Sequence, residues 1–212
     1  MTELILALDV TGKKKALTIA HVCAPHIDAL KLGYPLILAC GLSVVRKLAD
    51  DELPLIADFK VADIPNTNRL IVEQVFDAGF SSVICHGFTG KDAIQACVDT
   101  ASDYGGACFV VAEMSHPGAT EFFHGETAEH IAHIAMECGA DGIIAPATRP
   151  DRVRVLRSIV KGRKILSPGI GPQGGDPDRI AMLVDGIIVG RAIYEAKDPA
   201  AAAKMFDRFR ST

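Results

Sequence analysis

A chain of 212 residues, 49% hydrophobic and 23% charged, has ordinary globular composition, which excludes disorder and gives length enough to bury a core without staples. Its 22 basic and 26 acidic side chains leave a formal charge of −4, so no electrostatic footprint for nucleic acid is present. No apolar run reaches the ~18 residues of a membrane span, and the start, MTELILALDV, lacks the basic region of a signal peptide.

In chain order, short apolar runs predict strands at Leu4–Asp9, Ala29–Gly33, Leu55–Lys60, Ser82–His86, Ala107–Ala112, Gly142–Pro146, Ile165–Pro168 and Gly186–Gly190. Helical periodicity fills the gaps. Pro65–Ala78 carries an apolar stripe of Leu70, Ile71, Val75 and Phe76. Thr127–Cys138 repeats Ile131, Ile134 and Ala135 and meets Gly139 at a helix C′ position. Near-continuous apolar strands imply a parallel sheet covered on both faces. Eight strand–helix units therefore predict an α/β fold, a (β/α)8 TIM barrel forming a single domain over residues 1–212, with an open doubly wound sheet as the rival topology.

In such a barrel the chemistry gathers where strands end. Asp9 closes the first strand and Lys31 sits in the apolar second. The third, LIADFKVADIPNT, sets Asp58 and Lys60 two residues apart and so on one face, with Ala57 and Phe59 on the other; Asp63 follows at the turn. Buried charge is costly unless paired. A structural ion-pair cluster is the bland reading of that segment, but Asp9 and Lys31 on adjacent tips favour a preorganised electrostatic array.

The second constellation is SPGIGPQGGDP followed by VGRAIY. Gly169, Gly171, Gly174 and Gly175 admit backbone N–H groups close to an anion, Gly190 adds another, Arg191 brings a cationic fork, and Gln173 an amide. Gly169–Gly174 also matches G-x-G-x-x-G, but too little chain follows for a dinucleotide-binding unit.

Other features read as ordinary. Lys13, Lys14 and Lys15 lack the upstream glycine of a P-loop, His130 and His133 lack a third ligand, and His86 stands alone. Cys23, Cys40, Cys85, Cys97, Cys108 and Cys138 lack zinc-type spacing and suit a reducing, cytoplasmic compartment. The turn-rich segment Ser115–Gly125, with Phe122 and Phe123, is expected to act as a mobile lid.

Taken together, LALDV, KLGYPLI, DFKVADIPNT, Met114–Gly118, SPGIGPQGGDP and VGRAIY resemble the short, compact form of the orotidine 5′-phosphate decarboxylase family, in family order over nearly the whole chain. The most specific piece is Asp58-x-Lys60-x-x-Asp63-Ile64 with Asn66-Thr67, combined with Lys31. The resemblance implies decarboxylation of orotidine 5′-monophosphate (OMP) to uridine 5′-monophosphate (UMP), the last step of de novo pyrimidine synthesis, without metal or cofactor. It implies Lys60, Asp58, Asp63 and Lys31 as catalytic. Asp9 and Lys31 would hold the ribose, Ser115 the pyrimidine edge, Ile64 and Pro168 the base pocket, and Gln173, Gly190 and Arg191 the phosphate. It further implies a homodimer in which Asp63 and Thr67 enter the partner's site. Relatives resembling 3-keto-gulonate 6-phosphate decarboxylase or hexulose phosphate synthase share Asp-x-Lys-x-x-Asp but use Mg²⁺ with an acidic ligand at the Lys31 position. An ammonium is a poor ligand for a divalent ion. A nucleotide binder without chemistry is disfavoured by the complete charged array.

Overall fold

Side chains alternate along each strand, and that period of two sorts every strand into an inward and an outward set. In β1 (Glu3–Ala7) Leu4 and Leu6 face the helices, while Ile5 and Ala7 face inward. β2 (Ala29–Gly33) turns Leu30 and Leu32 outward and Ala29 inward; β3 (Leu55–Val61) turns Ala57, Phe59 and Val61 outward and Ile56 inward. The inward set of all eight strands forms a small core of its own, including Ile84, Phe109, Ile144, Leu166 and Ile188. The phase that puts Ile5, Ala29 and Ile56 inside also puts Asp9, Lys31, Asp58 and Lys60 inside, one or two steps further toward the carboxyl ends.

The computed structural model describes residues 2–49, 52–123 and 126–210. The remaining strands are β4 (Ser82–His86), β5 (Ala107–Val111), β6 (Gly142–Ile144), β7 (Lys164–Pro168) and β8 (Gly186–Val189). Each pairs in parallel with the next, and β8 pairs with β1, so the sheet closes as a barrel and the open-sheet rival is set aside. The connecting helices are α1 (Lys13–Cys23), α2 (Tyr34–Cys40), α3 (Ser43–Leu48), α4 (Pro65–Asp77), α5 (Lys91–Asp103), α6 (Thr127–Glu137), α7 (Pro150–Val160), α8 (Pro177–Ile180), α9 (Arg191–Tyr194) and α10 (Pro199–Lys204).

Three expectations shift. Strands β1, β5, β6 and β8 stop short of their expected ends, because Asp9, Ala112, Pro146 and Gly190 already belong to the loops at the mouth. On α4 the buried stripe is Asn68, Val72, Val75 and Phe76; Ile71 lies at its edge and Leu70 is 44% exposed. Positions 68, 72, 75 and 76 are spaced i, i+4, i+7, i+8 and form one face, which rotates Leu70 away. β3 runs one residue longer and carries a bulge between Ala57 and Val61, with Lys60 at φ 45°. A left-handed lysine is strained by about 1–2 kcal/mol, and bulges gather where a side chain must be re-aimed.

The end of the barrel away from the mouth is closed by the C-terminal segment. The Arg210 guanidinium donates to both oxygens of Asp28, and Asp28 also accepts from the Leu4 backbone N–H at 2.7 Å. All six cysteines are free thiols. Among the described residues no helix is long and apolar enough to cross a membrane.

Candidate active site

The inward phase of β1, β2 and β3 delivers four charged side chains to the rim of one cavity of about 320 Å³ at the carboxyl ends of the strands. Lys31 pairs in register with Ile56, so Asp58 stands one inward step above it on the adjacent strand. There Lys31 Nζ donates to Asp58 Oδ2, and Lys60 Nζ donates to Asp58 Oδ1 at 2.7 Å. Lys31 is only 5% exposed. Burial works to raise the pKa of Asp58, but the charges and hydrogen bonds of Lys31 and Lys60 outweigh it and hold the carboxyl below the usual carboxylate range. The Asp58 side chain is therefore an anion clasped by two cations at neutral pH. Asp9 lines the same cavity without joining this ion-pair chain.

Across the mouth, Ser115 Oγ lies 2.8 Å from Gln173 Oε1, to which it donates, tying the loop after β5 to the glycine loop after β7. That glycine loop needs its composition. Gly174 sits at φ 89°, and a Cβ on Gly175 would fall 2.5 Å from the Gly169 carbonyl oxygen. Pro168, Gln173, Gly190 and Arg191 all line the cavity. Arg191 opens α9 and forms no ion pair among the described residues, leaving its fork available to an anion. A glycine-rich loop beside this guanidinium suits an anion.

Asp63, Ile64 and Thr67 do not line the cavity of their own chain. They stand at the start of α4, outside the rim, with Ile64 65% exposed and the Asp63 side chain accepting from the Ile64 N–H at 2.7 Å. Ile64, expected among the pocket residues, is thus no wall of the cavity in its own protomer; it lies in the connection between β3 and α4.

Glu113, Arg149, Arg152 and Thr148 at the mouth escaped sequence reasoning, whereas His86 stands out there as a lone histidine. Glu113, 1% exposed just after β5, receives Arg149 Nε at 2.7 Å and Arg152 Nε at 3.1 Å. Arg152 also grips both oxygens of Glu129 on α6, and Thr148 Oγ1 donates to the Ser115 carbonyl at 3.1 Å. Glu113 had the signal that marked Asp9, a charge directly after an apolar strand; its arginines, 36 and 39 residues on, had none. His86, at the end of β4, lies between Phe88 (4.2 Å) and Phe123 (5.8 Å), with its Nδ1 buried and without a hydrogen-bond partner among the described residues. Burial, and then the nearby Lys60 charge, pushes its pKa down to about 4, so the ring is neutral.

Of the expected lid, Pro117–Glu121 forms a short turn, Phe122 is 74% exposed and Phe123 packs on the core; His124 and Gly125 lie outside the described residues. His130 and His133 are exposed on α6, and no group of three or more candidate metal ligands occurs among the described residues.

The chain matches the family described as "Orotidine 5′-phosphate decarboxylase / HUMPS family" over residues 2–206. It is 55% identical over 203 residues to an orotidine 5′-phosphate decarboxylase of Methanosarcina barkeri, covering 95% of this chain and 91% of the relative. It is 46% identical to that of Thermococcus kodakarensis, covering 96% and 94%. Among solved structures it superposes on orotidine 5′-monophosphate decarboxylase from Methanocaldococcus jannaschii complexed with inhibitor BMP, with a TM-score of 0.95, 36% identity and full coverage of both chains.

Proposed function

The chain belongs to the orotidine 5′-phosphate decarboxylase / HUMPS family, and from that membership we propose that its cavity decarboxylates OMP to UMP, making it a carboxy-lyase of pyrimidine biosynthesis. The observation that carries this reading is the Lys31–Asp58–Lys60 chain at the rim of a cavity that also holds Arg191.

Loss of CO₂ from C6 of the pyrimidine leaves a lone pair in the ring plane, which the π system does not delocalise. Only a positive charge or a proton donor beside C6 helps. Lys60 provides both, stabilising the carbanion and then protonating it. Asp58, kept ionised by its two lysines, faces the departing carboxylate. At ~4 Å and an effective dielectric of ~20, like charges repel by about 4 kcal/mol. That repulsion is relieved as CO₂ leaves, and the strain is offset by binding energy from the remote phosphate and the closing loop. Asp9 and Lys31 hold the ribose, Ser115 the pyrimidine edge, Pro168 the base, and Gln173, Gly190 and Arg191 the phosphate.

The protein works as a homodimer in this reading, with Asp63 and Thr67 contributed to the partner's site and Ile64 packing on the partner's base pocket. Their position outside their own cavity supports this, as do the exposed apolar side chains Tyr34, Leu38, Ile64 and Phe88, borne on segments that follow β2, β3 and β4. Six free thiols fit a cytoplasmic setting.

The test is the ultraviolet absorbance of OMP incubated with purified, metal-stripped protein. Turnover is expected to continue in chelator; activity that disappears with chelator and returns with Mg²⁺ would return the chain to the metal-dependent branch of the family.

A further inference from the structure

Asn68 is fully buried, and it is the polar member of an otherwise apolar face of α4. Both ends of its amide are used. Oδ1 accepts from the Asp63 backbone N–H at 2.9 Å, and Nδ2 donates to the Ala93 carbonyl of α5 at 3.1 Å. One end meets a donor and the other an acceptor, so only one orientation of the amide satisfies both. The bond to Asp63 reaches backwards over the first turn of α4, where the N-cap Ile64 has no side-chain cap and Pro65 has no N–H to give. With the Asp63 backbone held there, one oxygen of the Asp63 carboxylate accepts from the Ile64 N–H, and Asp63 does not line its own chain's cavity.

We propose that Asn68 is a positioning residue for Asp63: its buried amide ties the start of α4 to α5 and so sets where the Asp63 carboxylate stands when it enters the partner's site. This rests on the reading above that Asp63 acts across the dimer. A helix face built for cohesion alone has no need of an amide at this position, since burying one without partners is penalised by several kcal/mol in apolar media and a leucine would fill similar space. The amide is retained where it touches two segments that a leucine leaves unjoined.

Asn68→Leu keeps the volume and removes both bonds. Steady-state kinetics should show kcat lowered by about 10- to 100-fold with KM changed far less, the order expected when a reacting group is displaced by about 1 Å. In an Asp63→Ala background the same substitution should change kcat by no more than about threefold, because the group it positions is already gone. Equal losses in both backgrounds would overturn the proposal. Mixed dimers locate the effect. Asn68→Leu chains combined with inactive Lys60→Ala chains should regain activity, since one site of each hybrid then has an intact Lys60 and an undisturbed Asp63. No recovery would mean that Asn68 acts within its own barrel, and the proposal fails. Lys60→Ala mixed with Asp63→Ala is the control: recovery there supports the shared site, and its absence sinks that reading and this one with it. If Asn68→Leu does not yield soluble dimer, Asn68→Ala serves in the same comparisons.

Discussion

Lys60 reaches Asp58 from two residues along the same strand, Nζ to Oδ1 at 2.7 Å, although its own backbone is in a left-handed conformation at φ 45°. An ordinary extended β3 would carry the ammonium on toward the loop. The bulge instead holds the lysine over the carboxylate, so local strain at Lys60 is tied to the charge array it completes.

Lys60→Ala should lower kcat by at least about 10³-fold, combining the loss of an electrostatic stabiliser and a proton donor. Binding of UMP, followed by calorimetry, should persist, because the residues proposed to hold phosphate and ribose lie elsewhere in the cavity. Loss of binding in step with turnover would remove Lys60 from its chemical role.

Arg191→Ala should raise KM by about 10- to 100-fold, the effect of losing a charge-assisted hydrogen bond to phosphate worth about 1.5–3 kcal/mol. A smaller fall in kcat is expected where phosphate binding also drives loop closure. An unchanged KM would move the phosphate away from the tip of β8.

His86 makes stability depend on pH. The folded state keeps this ring neutral, with its pKa pushed down to about 4 by burial and by Lys60. The unfolded chain takes up a proton near pH 6.5. Between these values the unfolded state binds more protons, so stability falls as pH drops through about 6.5 to 4, by about 3 kcal/mol in all. The depressed Asp58 adds its own loss only below about pH 4. His86→Phe keeps an aromatic surface beside Phe88 and Phe123 and should flatten the upper part of the curve. Urea midpoints across pH measure it; a gap between variant and wild type that does not vary with pH would refute the assignment.

Arg210→Ala should destabilise the fold by about 1–2 kcal/mol, between the values for exposed and buried ion pairs, because Asp28 is left partly buried with no guanidinium. Thermal unfolding should drop by several degrees while kcat and KM stay unchanged, since the pair lies at the opposite end of the barrel from the cavity. A change in KM would contradict that separation.

Much of this protein is written locally. Eight apolar runs separated by helical periods specify strand–helix units, because period-two and period-3.6 patterns are properties of neighbouring residues. Closure of β8 onto β1 is what decides barrel over open sheet. The period of two puts Asp58 and Lys60 on one face, the strand ends mark Asp9 and Lys31, and the glycine run after β7 marks an anion loop, each within a single segment. What that pattern lacks is any record of long-range register. That one Asp58 carboxylate sits between two ammoniums depends on how β2 and β3 are staggered. That Glu113 finds Arg149 and Arg152, and that His86 is closed between Phe88 and Phe123, depends on loops meeting across the mouth. Likewise, Leu70 reads as core until α5 packs against α4 and the buried face proves to run through Asn68 instead. Closure of the sheet sets these contacts all at once, through pairings between segments far apart in the chain.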